Sequence, residues 1–405
     1  MNACVIVEHR FERTSDGAVW TRSNHNYEES RRYLDVFDSV RILARVRDVE
    51  APPSQGLRAD GDCISFAPIP CYVGFEQFCV HWRSVQRAAL SGIGDGDAVI
   101  LKAPSTISCL VESMLRRRGR PFAVEVIGDP WGMFSKGSIN HPLRPLLRSI
   151  FTWRTQAQCR HACAVRYVSS HLQARYAPNP SAFQIAVSDV HLPMVALVRA
   201  PRRIPNAPTP LRLIAIGSLE QPYKGIDVLL RALRLCFDQG FDCRLVVVGE
   251  GRRRPALASL AARLGVDGLV DFRGILPAGE RVFAALDECD LFVMPSRLEG
   301  MPRAMIEAMA RALPCIGSRV GGIPELLDAE NLVSPGNPAD LAAKIIEVGK
   351  SPGRMEWMSR RCLERANDFP EHKLGVRTRD FLAHVRDATE SWSATRLRRV
   401  EAVAA

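Results

Sequence analysis

LFVMPSRLEGMPRAMIEAMARALPCIGSRVGGIPELL, residues 291–327, reads as strand, loop, helix, strand and Gly-Gly turn. The apolar run 291–295 has strand length, and 296–301 is polar and contains Gly300. Pro302 suits the first helical position, where its missing N–H is not needed. The helix expected over 304–313 is apolar on nearly every face, which predicts burial. Its two charges are Glu307 and Arg311. A carboxylate on a buried helix needs a partner: either a nearby basic side chain pairs with Glu307, or Glu307 accepts hydrogen bonds from ligand hydroxyls. Glu299 stands in the loop just before the helix. Two carboxylates thus flank a helix N-terminus, whose free N–H groups and dipole favour an anion. An anion held between two hydroxyl acceptors is the layout a sugar nucleotide needs.

The chain around this stretch follows the same pattern. From 211 onward, strands expected at 211–216, 244–248, 270–272 and 332–334 alternate with helices at 226–239, 254–264, 280–286 and 339–350. Such alternation argues a parallel, doubly wound sheet, and ligands of such sheets bind past the carboxyl ends of the strands. Three more loops lie at that end. GSLEQPYKG, residues 217–225, is a glycine loop able to approach a phosphate, with Lys224 as a point charge. It lacks the spacing of a Walker loop. VGEGR, residues 248–252, is the second and Arg273-Gly274 the third.

The N-terminal half is a second α/β unit. Strands are expected at 4–8, 39–46, 63–69, 97–101, 122–127 and 165–168, with helices at 27–37, 75–90, 106–118 and 144–162. The exit of its fifth strand, EVIGDPWG, should line a cleft and offers Glu125 and Asp129 to an acceptor, although Asp129 also suits a turn cap. The first strand exits into Glu8, His9 and Arg10, which makes His9 a further acceptor-side candidate. Gly92, Gly94 and Gly96 precede a strand and so form a turn, not a dinucleotide loop. Residues 191–210 hold five prolines and no period, and read as a linker. The expected division is therefore 1–190, a first Rossmann-like domain; 191–210, a linker; 211–350, a second such domain; 351–388, helices packing back on the first domain; and 389–405, a frayed tail.

Composition bounds the chemistry. The chain has 405 residues, 47% hydrophobic and 24% charged, with a formal charge of +10. The charge favours acidic partners such as nucleotide phosphates or anionic lipid surfaces, and no nucleic-acid motif is present. The segment 144–161 carries Arg144, Arg148, Arg154 and Arg160 among Leu146, Ile150 and Trp153. It reads either as an ordinary surface helix or as a basic amphipathic helix for an anionic membrane. No apolar run reaches the ~18 residues of a membrane span, and MNACVIVEHRFER is not read as a secretory signal. Twelve cysteines are scattered with no CxxC pair, as expected of reduced thiols in a cytoplasmic protein, peripheral on the inner face of the membrane if the basic helix docks there. Cys159, His161 and Cys163 are too few for a structural metal site.

The set G-S-x5-K-G (217–225), V-G-E-G (248–251), R-G (273–274), P-S-x2-E-G-x6-E-A (295–308) and G-G-x-P-E (321–325) resembles glycosyltransferase family 4. The resemblance covers 211–345 and is weak before 190. It implies the GT-B fold, two Rossmann-like domains facing a cleft, and sugar transfer from a nucleotide-sugar with retention of configuration. It further implies that Glu299 faces the donor sugar, that Glu307 accepts from the ribose, and that Lys224 pairs with the diphosphate alongside the N–H groups of Gly300 and Met301. Gly249, Glu250 and Gly251 would lie beside the nucleotide and Arg273 near the base. Relatives often carry arginine where this chain has Ser218; Arg303, Arg297 and Arg252 are the candidate substitutes, with Arg303 preferred. The expected partners are a UDP- or GDP-sugar donor and a glycan or lipid-linked acceptor, in cell-envelope or exopolysaccharide synthesis, with no metal or other cofactor. The competing expectation is a non-catalytic nucleotide-binding scaffold of the same fold.

Overall fold

The computed structural model describes all residues except 24, 55, 136–141, 191, 208 and 405, together with the side chains of all of these but 75, 371 and 399–404. The first domain contains β1 (Asn2–Arg13), β2 (Val19–Thr21), α1 (Tyr27–Arg31), β3 (Ser39–Asp48), β4 (Leu57–Arg58), β5 (Ile64–Ile69), α2 (Gly74–Gly92), β6 (Ala98–Ala103) and α3 (Thr106–Arg117). It continues with β7 (Ala123–Val126), α4 (Pro130–Met133), α5 (Arg144–His161), β8 (Ala164–Tyr167), α6 (Ser170–Arg175) and β9 (Phe183–Ala186). Its parallel sheet has the order β5-β3-β1-β6-β7-β8-β9. The inner strands are buried on both faces, β6, β7 and β8 along their whole length, as sheets covered by helices on both sides require.

The expected exit of the first strand at Glu8 is corrected. β1 runs on to Arg13, paired with β3 as far as Asp48. β6 covers only Ala3–Ile6 of its other edge, and β2 takes over antiparallel at Glu12, with β4 beyond it. Phe11 explains the extension: it is buried, with its ring 4.7 Å from that of Phe66. The expected helix at 27–37 is only α1 followed by a 3-10 turn over Arg32–Asp35.

The second domain comprises β10 (Leu211–Ile216), α7 (Ile226–Asp238), β11 (Cys243–Val248), α8 (Arg254–Arg263), β12 (Val270–Gly274), α9 (Glu280–Asp287) and β13 (Leu291–Met294). After these come α10 (Arg303–Ala310), β14 (Cys315–Ser318), α11 (Ile323–Leu326), β15 (Leu332–Val333) and α12 (Pro338–Gly349). Its six strands are parallel in the order β12-β11-β10-β13-β14-β15. Pro302 stands one position earlier than expected, as the N-cap of α10. The helix also ends sooner, at Ala310: Ala312 takes a left-handed φ of 52°, and Leu313 N donates to Ala308 O, turning the chain into β14.

The described part of the expected linker, which excludes 191 and 208, is fastened to the second domain. Leu192 and Ala196 are buried in its core, Val198 N donates to Ala310 O, and the Arg202 guanidinium reaches the carbonyls of Leu286, Cys289 and Arg311. The chain crosses back beside this segment, where Leu192 N donates to Phe369 O over 3.2 Å. Helix α13 (Pro352–Ala366) packs on the second domain through Met355 and Met358. Helix α14 (Glu371–Ala404) returns to the first, burying Phe381, Leu382 and Val385 beside Tyr33 and Phe37. The frayed tail expected from 389 is corrected: nothing in TESWSATRLRRVEAVA stops a helix, Thr389 is buried, and Trp392 lies between the guanidinium groups of Arg120 and Arg396 at 5.4 and 5.5 Å.

Candidate active site between the two sheets

The loops after β10, β11 and β12 are stitched together at their exits. Gly217 N donates to Val248 O, Leu219 N to Glu250 O, and Gly249 N to Gly274 O. The fourth loop, after β13, meets the first at Gly225. With φ of 69° this residue starts α7, and a Cβ there would stand 2.0 Å from the Pro295 carbonyl oxygen. Only glycine permits that approach. Arg297 locks the junction: its N–H donates to Tyr223 O, and its guanidinium holds Asp227 by two bonds of 2.8 and 2.7 Å and also Pro222 O.

The junction delivers Lys224 to Glu299. The Nζ lies 2.8 Å from Glu299 Oε1, which also accepts from Ser296 Oγ at 2.6 Å. Burial alone would lower the Lys224 ammonium; the Glu299 carboxylate more than offsets this, and the pKa stands above the usual lysine value. The lysine therefore stays charged at neutral pH. The backbone N–H groups of Gly300, Met301, Arg303 and Ala304 donate to no partner among the described residues. They form a set of free donors at the start of α10, one loop from the Lys224 ammonium, where an anion is favoured.

Glu307 lies on the first turns of α10, and its carboxylate makes no hydrogen bond or ion pair among the described residues. Burial pushes its carboxyl above the usual carboxylate range, with partial relief from Arg303. The Arg303 guanidinium is likewise without a hydrogen bond among the described residues. Of the other cations considered opposite Ser218, Arg297 is committed to Asp227, and Arg252 lies exposed with its Nε on Glu220 O. The Ser218 hydroxyl accepts from Glu220 N at 3.3 Å.

Other expected donor residues are placed less directly. Glu250 is paired with Arg254 at 2.8 Å, and Gly251 N lies 3.3 Å from Glu250 Oε1. Arg273 turns away from the junction of Lys224 and Glu299, to Asp271 at 2.8 Å and Glu288 at 2.6 Å.

Across the cleft, Glu125 is corrected as an acceptor-side candidate, and His9 and Asp129 are each engaged by near neighbours. Glu125 is fully buried beneath the floor, in one row with Lys102 and Arg166 on neighbouring strands. Its carboxylate takes Arg166, Arg32 and the Tyr33 hydroxyl at 3.3, 3.4 and 2.8 Å. Burial would raise its pKa, but the three cations Arg166, Arg32 and Lys102 hold it below the usual range. It is an interior counter-ion. His9 sits mid-strand on β1 against Thr21 at 2.9 Å and Ser23 at 3.2 Å. Burial and neighbouring charges lower its pKa to about 3, so it is neutral at working pH. Asp129 is the N-cap of α4, accepting from Trp131 N and from the Tyr176 hydroxyl at 2.6 Å.

Contacts between the domains cluster here. Leu298 packs against Gly132, Gly300 lies by the Ile127 carbonyl, and Met301 touches the cores of both domains. Gly322 N donates to Gly300 O, and three residues on, Glu325 accepts from Ser170 N at 3.0 Å and His171 N at 2.8 Å, at the start of α6. The sequence pointed to the Gly-Gly-x-Pro-Glu segment, but not to this bridge, nor to the Arg297–Asp227 clamp.

Two doubly wound domains with a cationic, glycine-lined site at the strand ends of one and a cleft to the other are the GT-B architecture of glycosyltransferases. Residues 210–350 match the family model described as Glycosyl transferases group 1. The chain is 24% identical to protein CapJ of Staphylococcus aureus over 306 residues, 75% of each chain. It is 33% identical to the colanic acid biosynthesis glycosyltransferase WcaL of Escherichia coli K12 over 153 residues, which span 36% of this chain and only 37% of that relative. Among solved structures, Anabaena HepE in complex with UDP-glucose superposes with a TM-score of 0.66 and 15% identity, over 95% of this chain and 99% of that one.

Proposed function

We propose that the protein transfers a hexose-type sugar from a nucleoside-diphosphate sugar, UDP- or GDP-linked, to a glycan or lipid-linked acceptor, with retention of configuration, in the synthesis of a cell-envelope or exported polysaccharide. The observation that carries this is the Lys224–Glu299 pair beside free N–H donors at the start of α10. When the glycosidic bond to the diphosphate breaks, negative charge develops on the leaving oxygen. Lys224 and the N–H groups of Gly300 and Met301 meet that charge in a site largely screened from water, where fixed donors act strongly. Glu299 would face the sugar ring, Glu307 the ribose hydroxyls, and Gly249–Gly251 the nucleotide. The chemistry assigned to these side chains calls for no metal. HepE is known with UDP-glucose, and WcaL is named for colanic acid biosynthesis; both support the donor and product class proposed. A cytoplasmic place, peripheral on the inner face of the membrane, accords with a lipid-linked acceptor.

The test is a screen of nucleotide-sugars for donor hydrolysis, followed by acceptor trials with the donor that turns over. A second reading, a nucleotide-binding scaffold without turnover, draws on Ser218, which brings no charge where a cation is expected. Calorimetric binding of UDP or GDP with no hydrolysis of any sugar nucleotide would favour it.

Two smaller expectations belong to this reading. Arg303 would supply the charge Ser218 lacks, so Arg303→Ala should raise the donor KM roughly tenfold with little change in kcat. Adding Ser218→Arg to that variant should restore the KM; equal KM values for wild type and Arg303→Ala would remove Arg303 from the site. Glu325 ties the donor loop to the opposite domain, and closure limits loss of donor to water. In Glu325→Ala the ratio of donor hydrolysis to transfer should rise about threefold to tenfold, the loss of roughly one net hydrogen bond; an unchanged ratio would show the bridge to be incidental.

A further inference from the structure

Helix α5 turns a row of large apolar side chains outward. Its buried residues are Thr155, Gln158 and Cys159. Its outward face carries Leu146, Ile150 and Trp153, exposed to 55, 44 and 65%, at the three- and four-residue spacing of a single helical stripe. A helix that packs an ordinary core turns such a stripe inward. Exposed single apolar residues are common, but a contiguous row marks a contact surface.

Charge says what the surface meets. Residues 130–188 contain no Asp or Glu and seven Lys or Arg: Lys136, Arg144, Arg148, Arg154, Arg160, Arg166 and Arg175. This one segment accounts for most of the net charge of +10. Arg166 is buried, and Arg154 is spent on the Cys109 carbonyl and Ser113 of α3. Arg148 stacks on the ring of Trp131 at 3.8 Å, and Trp131 is itself 42% exposed on α4. Indole rings and arginines alternating with aliphatic side chains suit the headgroup boundary of a bilayer, where rings and stems enter the apolar region and guanidinium groups meet lipid phosphates.

Position gives the surface its use. A helix between two parallel strands begins at their carboxyl ends, so the start of α5 lies on the cleft side, and α4 beside it touches the donor domain through Gly132 and Leu298. Among the described residues no helix is long and apolar enough to cross a membrane. We propose that the outer face of α5, with Trp131 at its cleft end, docks on an anionic lipid bilayer and sets the cleft mouth at the headgroup level. The docking itself does not depend on catalysis; its purpose rests on the lipid-linked acceptor proposed above.

The experiment is co-sedimentation of the full chain with vesicles of equal parts phosphatidylglycerol and phosphatidylcholine, compared with phosphatidylcholine alone. The protein should pellet with the anionic vesicles at low salt, less at high salt, and remain in solution with the neutral ones. Leu146→Ser/Trp153→Ser should weaken partitioning by at least about tenfold, while its hydrolysis of a nucleotide-sugar in solution stays at the wild-type rate. Arg144→Glu/Arg160→Glu should weaken it further at low salt. Wild-type protein that hydrolyses donor yet stays in the supernatant with anionic vesicles overturns the docking and leaves the enzymatic reading standing. Binding to both vesicle types alike overturns the role of charge. Self-association through Leu146 and Trp153, seen by sedimentation velocity without any vesicle binding, assigns the face to a second copy of the chain and overturns the proposal as well.

Discussion

Lys224→Ala should lower kcat/KM for sugar transfer by roughly 10²–10³, with the loss mainly in kcat, the range seen when one fixed donor to a developing anion is removed. The fold should be intact by circular dichroism and thermal melting. Three features make this expectation specific. The ammonium is held charged by Glu299 at 2.8 Å, so the cation is present before donor arrives. The loop that carries it is fixed independently of the lysine by the two bonds from Arg297 to Asp227, so truncation should not let the loop collapse. The lysine stem lies over Gly217, with Cε 2.9 Å from where a Cβ would stand there, so a longer or forked side chain has no equivalent path. Lys224→Arg should therefore recover little. Transfer by Lys224→Ala within twofold of wild type would place the charge stabilisation elsewhere in the cleft.

How far the site was legible in the sequence follows from how local its parts are. Glu299, Gly300 and Glu307 stand on one loop and the helix it opens, and Lys224 stands on another loop bounded by two glycines. Local pattern suffices for such elements. The residues that bring the loops together are different: Arg297 and Asp227 are 70 positions apart and meet only after β10 and β13 pair. Glu125 was misplaced for a related reason. A strand buried on both faces shows no alternation, so AVEV gives no sign of which face the carboxylate takes. The register supplies it, setting Glu125 between Lys102 and Arg166. The long β1 was missed because its far end has as its second neighbour β2, a three-residue strand paired in turn with the two-residue β4, both too short to leave a pattern. Glu325 belongs to the same class. Its segment was visible, but its partners are backbone N–H groups of the other domain, which carry no sequence signature.

Glu307 should show a trade between stability and binding. Its carboxyl is raised by burial in the free protein, so the folded chain holds the proton more tightly than the unfolded one. A group of this kind contributes fully below its unfolded pKa, and the contribution is lost as pH rises through the folded pKa. Above the folded pKa the ionised carboxylate is thus a cost to the empty fold. Glu307→Gln, which cannot ionise, should melt at a higher temperature than wild type near pH 8 and at the same temperature near pH 4. Donor hydroxyls bonded to the carboxylate favour its ionised form, so wild-type affinity for the nucleotide-sugar should strengthen as pH rises through the same window. In Glu307→Ala the affinity should fall roughly ten- to hundredfold, the worth of a hydrogen bond to a charged group. The pH dependence should vanish in both variants. Calorimetric titrations across pH, set beside thermal melts of the empty proteins, test the two halves together. If Glu307→Gln gains stability but binds donor as wild type does, the carboxylate is only a buried liability of α10. If it loses affinity and the pH slope while gaining stability, the strain in the empty site is what the nucleoside relieves.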